Sequence, residues 1–325
     1  MAVIGAIDPA LFNPESIDDE TRAFNAQLEA MLATIPAVNT VPPEVTRAAR
    51  EEGRGIFGPI VLSSLATTRT IPGPAGDVPI RVLLPETVTG VYFHIHGGGF
   101  TLGRPHHFDA RNELTARRAN VAVVSVDYRL APENPYPAAP DDCEAAALWL
   151  IENARREFGV DRIVIGGESA GATLAAVTAL RLRDKHGYRG LAGANLVYGA
   201  YDLTGTPSQL LWGERNLVLS TPIIVWFGEQ YLGYLPLQAR RAPDVSPLYA
   251  DLAGMPPALF TVGTLDPLLD DSLFMYNRWI VAGNRAELAI YPGGVHAFDS
   301  FPTALGQRAT ERCDNFIARA IAGEV

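Results

Sequence analysis

The sequence predicts an α/β fold: one mostly parallel sheet of eight strands, flanked by helices and topped by a helical cap. Three observations carry that prediction. From the third strand onward, apolar β-branched runs alternate with helical segments, the spacing that parallel strands joined by helical crossovers require. The strand segments are almost continuously apolar, as expected where both faces of a sheet are covered. Only the first two strands are joined by a tight turn, Pro72-Gly73-Pro74-Ala75-Gly76-Asp77, so they should form an antiparallel edge.

Before the sheet, residues 16–36 set Phe24, Leu28, Met31, Leu32 and Ile35 on one helical stripe, with acids near its start. A second short helix is expected from Pro43-Glu44 to Gly53. Neither can bury its face alone, so both must pack on something later in the chain. Strands are then expected at Val61–Ile71, Val78–Leu84, Val91–His96, Val121–Val126, Ile163–Ile165, Ala194–Tyr198, Ala258–Val262 and Glu287–Tyr291. Helices should fill about 107–119, 140–158, 170–187, 268–283 and 303–322. The stretch between the sixth and seventh strands is too long for a crossover and carries Trp212, Trp226, Phe227, Tyr231 and Tyr234. It reads as an insertion with helices of its own. The organisation expected is N-terminal cap helices over 1–58, the α/β core over 59–200, a cap insertion over 201–246, and the core again over 247–325.

The chain has 325 residues, 48% hydrophobic and 19% charged, enough for a substantial core, and α/β folds hold such a length in one unit. A net charge of −10 argues against nucleic acid or an anionic membrane surface as partner. Cys143 and Cys313 fall in helical segments and read as two buried thiols, so nothing demands an oxidising compartment. The first nine residues, Met-Ala-Val-Ile-Gly-Ala-Ile-Asp-Pro, lack the basic and long apolar regions of a signal peptide. No apolar run approaches a membrane span. The expectation is a cytoplasmic protein that does not insert into membranes.

The chemistry gathers at Ile163-Val164-Ile165-Gly166-Gly167-Glu168-Ser169-Ala170-Gly171. A strand ends in glycines, a serine stands on a sharp turn, and an alanine-rich helix follows. Glycines at 167 and 171 remove the Cβ atoms that would clash where strand and helix approach. The plainer reading is a serine that caps the helix. After the third strand comes His96-Gly97-Gly98-Gly99-Phe100. Three consecutive glycines let backbone N–H groups turn outward together, as an oxyanion requires. The loop lacks the lysine and the spacing of a phosphate loop.

A serine nucleophile on such a turn needs a base later in the chain, with an acid between them. His186 and His296 are the two histidines that follow. His186 sits far along the helix after the turn. His296 lies in a loop directly after the last strand, on the edge where a parallel sheet gathers its functional loops. Asp266 ends the run of the seventh strand, and Asp202, after the sixth, is its rival. Asp270 and Asp271 fall in a helix's first turn, where acids favour the helix dipole.

With these residues assembled, the sequence resembles the hormone-sensitive-lipase-like (family IV) carboxylesterases of the α/β-hydrolase superfamily. The resemblance covers residues 90–305 and rests on five motifs. These are His96-Gly97-Gly98-Gly99, Asp127-Tyr128-Arg129-Leu130-Ala131-Pro132-Glu133, Gly167-Glu168-Ser169-Ala170-Gly171, Asp266-Pro267-Leu268-Leu269-Asp270 and His296-Ala297-Phe298. It implies an α/β-hydrolase fold with Ser169 as nucleophile, His296 as base and Asp266 as the acid that orients it. It also implies an oxyanion hole from the N–H groups of Gly97, Gly98 and Ala170, and a structural support from the 127–133 segment. Glu168 departs from the aspartate of many relatives. Phe100, Trp212 and Phe298 are the residues assigned to substrate contact.

The expected activity is hydrolysis of short- to medium-chain carboxylic esters through an acyl-enzyme on Ser169, without metal or organic cofactor. An amidase or peptidase using the same triad, or a small-molecule receptor on the same fold, are the alternatives. The last strand, Ala286–Tyr291, lies at the expected sheet edge, where a second copy would pair to give a homodimer.

Overall fold

The computed structural model describes residues 7–325; the first six residues of the N-terminal segment lie outside the described residues. Eight strands form one sheet in the order β1-β2-β4-β3-β5-β6-β7-β8. They are β1 (Ala66–Gly73), β2 (Gly76–Leu83), β3 (Gly90–Ile95), β4 (Val121–Val126), β5 (Ile163–Glu168), β6 (Gly193–Val197), β7 (Ala258–Leu265) and β8 (Ala286–Val295). The β1–β2 and β2–β4 pairings are antiparallel and the others are parallel. The helices are α1 (Asp19–Leu32), α2 (Pro43–Glu51), α3 (Asp109–Ala119), α4 (Ala138–Phe158), α5 (Ala170–His186), α6 (Pro207–Leu211), α7 (Thr221–Leu232), α8 (Leu269–Val281) and α9 (Ala304–Ala322).

The alternation of side chains along each strand builds two cores, one on each face. Val91, Phe93 and Ile95 pack with Leu150 of α4, Leu174 of α5 and Trp279 of α8. Tyr92, Val164 and Leu259 pack on the other face with Ala116 of α3 and Phe316 of α9. All six residues of β3 and of β4 are buried, which is why these strands read as nearly continuous apolar runs, broken only by His94 and Ser125, which pair with each other.

The first strand begins at Ala66 rather than Val61. Its last rung is Ala66 opposite Leu83, where β2 ends, so the residues before it have no partner strand. Val61 and Leu62 are exposed instead, and Ser63 is held by its N–H donating to Asp109 Oδ2 at 2.9 Å. Of the α1 stripe, Leu28 and Leu32 are buried while Met31 and Ile35 stay exposed. The helix docks through a narrower seam than its pattern suggested, helped by Asn25 Nδ2 donating to the Gly293 carbonyl at 2.8 Å.

The second helix docks differently. None of its residues is fully buried. The Arg47 guanidinium donates to the Thr101 carbonyl at 2.8 Å, to the Ala131 carbonyl at 2.6 Å, and to both oxygens of Glu133. One turn later, Glu51 reaches His106 and His107, each at 2.9 Å. Attachment of α2 is therefore polar.

The insertion contains α6 and α7, and it touches the N-terminal segment. Arg215 makes a two-pronged contact with Glu29 of α1 at 2.9 Å. Val38 packs on a small apolar cluster of Leu219, Ile223 and Leu268. At the base of the insertion, buried Asp271 accepts from the N–H groups of Tyr201 and Asp202 and from Thr206 and Gln209. Asp271 thus does more than favour a helix dipole; it ties the start of the insertion to α8. Cys143 and Cys313 are both free and buried.

Candidate active site

Strand register brings the chemistry together. Ile95 of β3 lies opposite Gly167 of β5, so Gly97 and Ser169 each follow a paired rung by two residues. Leu265 of β7 lies opposite Val295 of β8, so Asp266 and His296 leave neighbouring strands side by side. The approach is close. A Cβ on Gly171 would stand 1.9 Å, and one on Gly167 2.0 Å, from the Ile95 carbonyl oxygen. Only glycine fits at either place.

Ser169 occupies φ 56°, ψ −123°, a conformation costing a non-glycine residue on the order of 1–3 kcal/mol. It stands at the N-cap of α5, yet its side chain caps nothing. Its Oγ meets His296 Nε2 at 2.9 Å instead. His296 Nδ1 lies 2.9 Å from Asp266 Oδ2, and the Leu268 N–H donates to the other carboxylate oxygen at 2.9 Å. Asp266 is 1% and His296 4% exposed, so solvent hardly competes for these bonds. A carboxylate can only accept. The imidazole proton therefore sits on Nδ1, which leaves Nε2 free to accept the serine proton.

The competing residues are occupied elsewhere. Asp202 accepts from Thr204 and from the Tyr249 hydroxyl, and Asp270 from the Ser208 N–H. His186 Nε2 lies 2.7 Å from Glu144 at the far end of α5.

Beside Ser169, the glycine loop turns through positive φ at Gly98 (121°) and Gly99 (60°). Its own bonds run from the N–H groups of Thr101 and Leu102 back to the Gly98 carbonyl. A Cβ on Gly97 would meet the Glu168 carbonyl at 2.7 Å and Ser169 Cβ at 3.4 Å, so the loop lies directly on the serine turn. Ala170 is the first residue of α5, where an N–H has no intrahelical acceptor and the helix dipole favours negative charge.

The 127–133 segment holds this loop from behind. Tyr128 donates to the His96 carbonyl at 2.9 Å and stacks on the His96 ring with centroids 4.2 Å apart. The Ala131 N–H donates to the Phe100 carbonyl at 2.9 Å. Arg129 is locked to buried Asp142 by both guanidinium arms and its own N–H. Its contribution is to position the loop.

Glu168 finds its partner across the sheet. His94 lies opposite Gly166, so Glu168, two residues on, shares its face. His94 Nε2 stands 3.0 Å from Glu168 Oε2. The other ring nitrogen lies 2.8 Å from Ser125 Oγ and accepts from Asn112 at 3.2 Å. This chain fixes the residue next to the serine. The β3–β5 register, which no local pattern in the sequence fixes, sets this pairing.

Asp299 faces Glu168 across a small polar cavity that Arg111 and Asn195 also line. Burial, reinforced by the Glu168 charge, pushes its carboxyl up to about 6. The hydroxyl of Tyr198, whose ring meets His296 edge-on at 4.7 Å, donates to it. Folded Asp299 keeps its proton to about pH 6, whereas an unfolded aspartate releases it near about 3.9. Between these values the folded state binds more protons, so stability falls as pH rises. Asp299→Asn should flatten that fall and leave the variant more stable at pH 7 by about 2 kcal/mol. Urea midpoints at pH 4.5 and 7 would show it; parallel shifts in the two proteins would contradict it.

Of the aromatics assigned to substrate, Phe100 is buried and stacked on Tyr231 of α7 at 3.8 Å. Phe298 is buried against Tyr198 and Tyr291. Trp212 is half-buried and donates to the Arg215 carbonyl at 2.7 Å. Sequence reasoning passed over Phe227 of α7. Its ring lies so close over the glycine loop that a Cβ on Gly99 would stand 2.2 Å from it.

Comparison with known proteins agrees with this architecture. Residues 92–300 match a family described as having the alpha/beta hydrolase fold. The chain is 40% identical over 243 residues to the carboxylic ester hydrolase LipN of Mycobacterium tuberculosis, covering 71% of this chain and 64% of LipN. An acetyl esterase of Salmonella schwarzengrund is 35% identical over 71% of this chain and 73% of its own length. Among solved structures, the hyperthermophilic esterase of the archaeon Pyrobaculum calidifontis superimposes with a TM-score of 0.83 at 32% identity, over 93% of this chain and 98% of that one. With the glycine loop, the Ser169 turn and the Asp266–His296 pair all inside the matched span, the chain belongs to the hormone-sensitive-lipase-like branch of the α/β-hydrolase fold family.

Proposed function

We propose that the chain is a serine carboxylesterase that hydrolyses short- to medium-chain carboxylic esters of small molecules. The observation that carries this reading is the hydrogen-bonded line from Ser169 through His296 to Asp266, with both links at 2.9 Å, set against a glycine loop.

In the reaction, Ser169 Oγ attacks the ester carbonyl carbon and passes its proton to His296 Nε2. Asp266 fixes the imidazole tautomer and stabilises the imidazolium that forms. The N–H groups of Gly97, Gly98 and Ala170 receive the carbonyl oxygen as it becomes an anion, each donor worth about 3 kcal/mol in the transition state. His296 returns the proton to the leaving alcohol. Water then repeats the sequence on the acyl-enzyme and releases the acid. Beyond the attacking water, each step draws on protein groups.

The N-terminal helices and the insertion form the cap over the substrate. Trp212 contacts the bound ester at the solvent side, while Phe100 and Phe298 back the pocket through Tyr231 and Tyr198. Their apolar surroundings and the Phe227 ring favour an uncharged ester of modest length. Initial rates for p-nitrophenyl esters of two to sixteen acyl carbons, beside matched anilides, test this reading. kcat/KM should peak below about ten carbons and exceed that of the anilide by at least about 100-fold. Equal rates on amides would assign the triad to an amidase.

An edge position for β8 supports a homodimer in which this strand pairs with its copy. Sedimentation at micromolar concentration should show a dimer; a monomer alone would remove the idea. Two buried free thiols fit the reducing cytoplasm. No helix among the described residues is long and apolar enough to cross a membrane.

A further inference from the structure

We propose that Glu51, His106 and His107 form a binding site for a transition-metal dication of the zinc type, one that pins helix α2 to the segment leading out of the glycine loop. Glu51 is the last residue of α2. The two histidines stand in the single helical turn Pro105–Phe108 that precedes α3. Glu51 Oε2 lies 2.9 Å from His106 Nε2, and Oε1 2.9 Å from His107 Nε2. The potential ligand atoms of the three residues lie within 4.8 Å of one another, and they are the one such group of three His, Cys, Asp or Glu among the described residues.

The donor set selects the ion. Two imidazoles and a carboxylate suit zinc and its neighbours, whereas magnesium and calcium require oxygen ligands throughout. Bond lengths of about 2.1 Å place tetrahedral ligands about 3.4 Å apart, so each Glu51–histidine contact opens by about half an ångström to admit the ion, within a group whose ligand atoms already lie inside 4.8 Å of one another. A fourth position, on the solvent side of exposed Glu51, takes water.

Two features set the affinity. In the metal-free arrangement both Nε2 atoms carry the protons that they donate to Glu51; metal binding moves each proton to Nδ1. The Nδ1 atom of His107 is buried and has no partner among the described residues, so its new proton goes unsatisfied. The Arg50 charge also reaches this site. Both lower the affinity, to a Kd of about 10 µM. What the ion adds is a crosslink: α2 has no fully buried residue, and the bond from Glu51 to an ion held by His106 and His107 ties its last residue to the Pro105–Phe108 turn.

The test uses the tag-free full chain titrated with zinc chloride by calorimetry, with magnesium chloride as control and thermal unfolding in parallel. The expected result is one zinc per chain, weakened at least about tenfold in Glu51→Gln and in His106→Gln, no magnesium binding, and a rise in the unfolding midpoint that the variants lose. The variants lie on different elements, and ester turnover reports that each is folded. The proposal is overturned if the native chain binds no zinc up to about 1 mM, if magnesium binds as well, or if both folded variants bind zinc as the parent does. The last result would place the ion elsewhere, as at His296.

Discussion

Ser169→Ala is expected to lower kcat on a short-chain p-nitrophenyl ester by on the order of 10⁴- to 10⁶-fold. The size follows from what the hydroxyl does: without Oγ no acyl-enzyme forms, and only the oxyanion donors and substrate positioning remain. The strain at φ 56° stays with alanine, so the folded state should persist, and circular dichroism would verify that. Labelling by an organophosphonate should vanish in the same variant. A loss smaller than about tenfold would remove Ser169 from the chemistry.

The second large effect is at the acid. Asp266→Asn keeps the shape of the side chain but offers an N–H₂ group where His296 Nδ1 now donates. To accept it, the imidazole must move its proton to Nε2, the atom that has to receive the serine proton. A fall in kcat of about 10⁴-fold is expected. Asp202→Asn, whose contacts are with Thr204 and Tyr249, should cost less than about tenfold. If the second substitution hurts turnover more, while both proteins remain folded, the acid has been assigned to the wrong strand.

Much of this was legible in the sequence because it is governed by short-range pattern. Continuous apolar runs located the buried strands, and the glycines around Ser169 announced a close approach that register then explains. The ends of β5, β7 and β8 were less legible, because they continue into small and polar residues whose pairing depends on the neighbouring strand. Val61–Leu65 failed as a strand for the same reason: its composition is right, but β2 has already ended. The links that cross the fold were hidden. Glu168 to His94, Asp271 to the insertion and Phe227 over Gly99 each join residues far apart in sequence. Local propensity carries no term for any of them.

The polar docking of α2 has a consequence for how this helix comes away from the core. Release of a helix with no fully buried residue changes heat capacity and denaturant slope little. Urea and temperature should therefore register its departure weakly. Ionic strength should act on it directly, since Arg47 and Glu133 form an ion pair open to solvent and such pairs are screened over about 8 Å at physiological salt. Amide hydrogens of α2 should accordingly exchange faster as salt is raised, while those of β3 and β5, sealed between two apolar layers, stay unmoved.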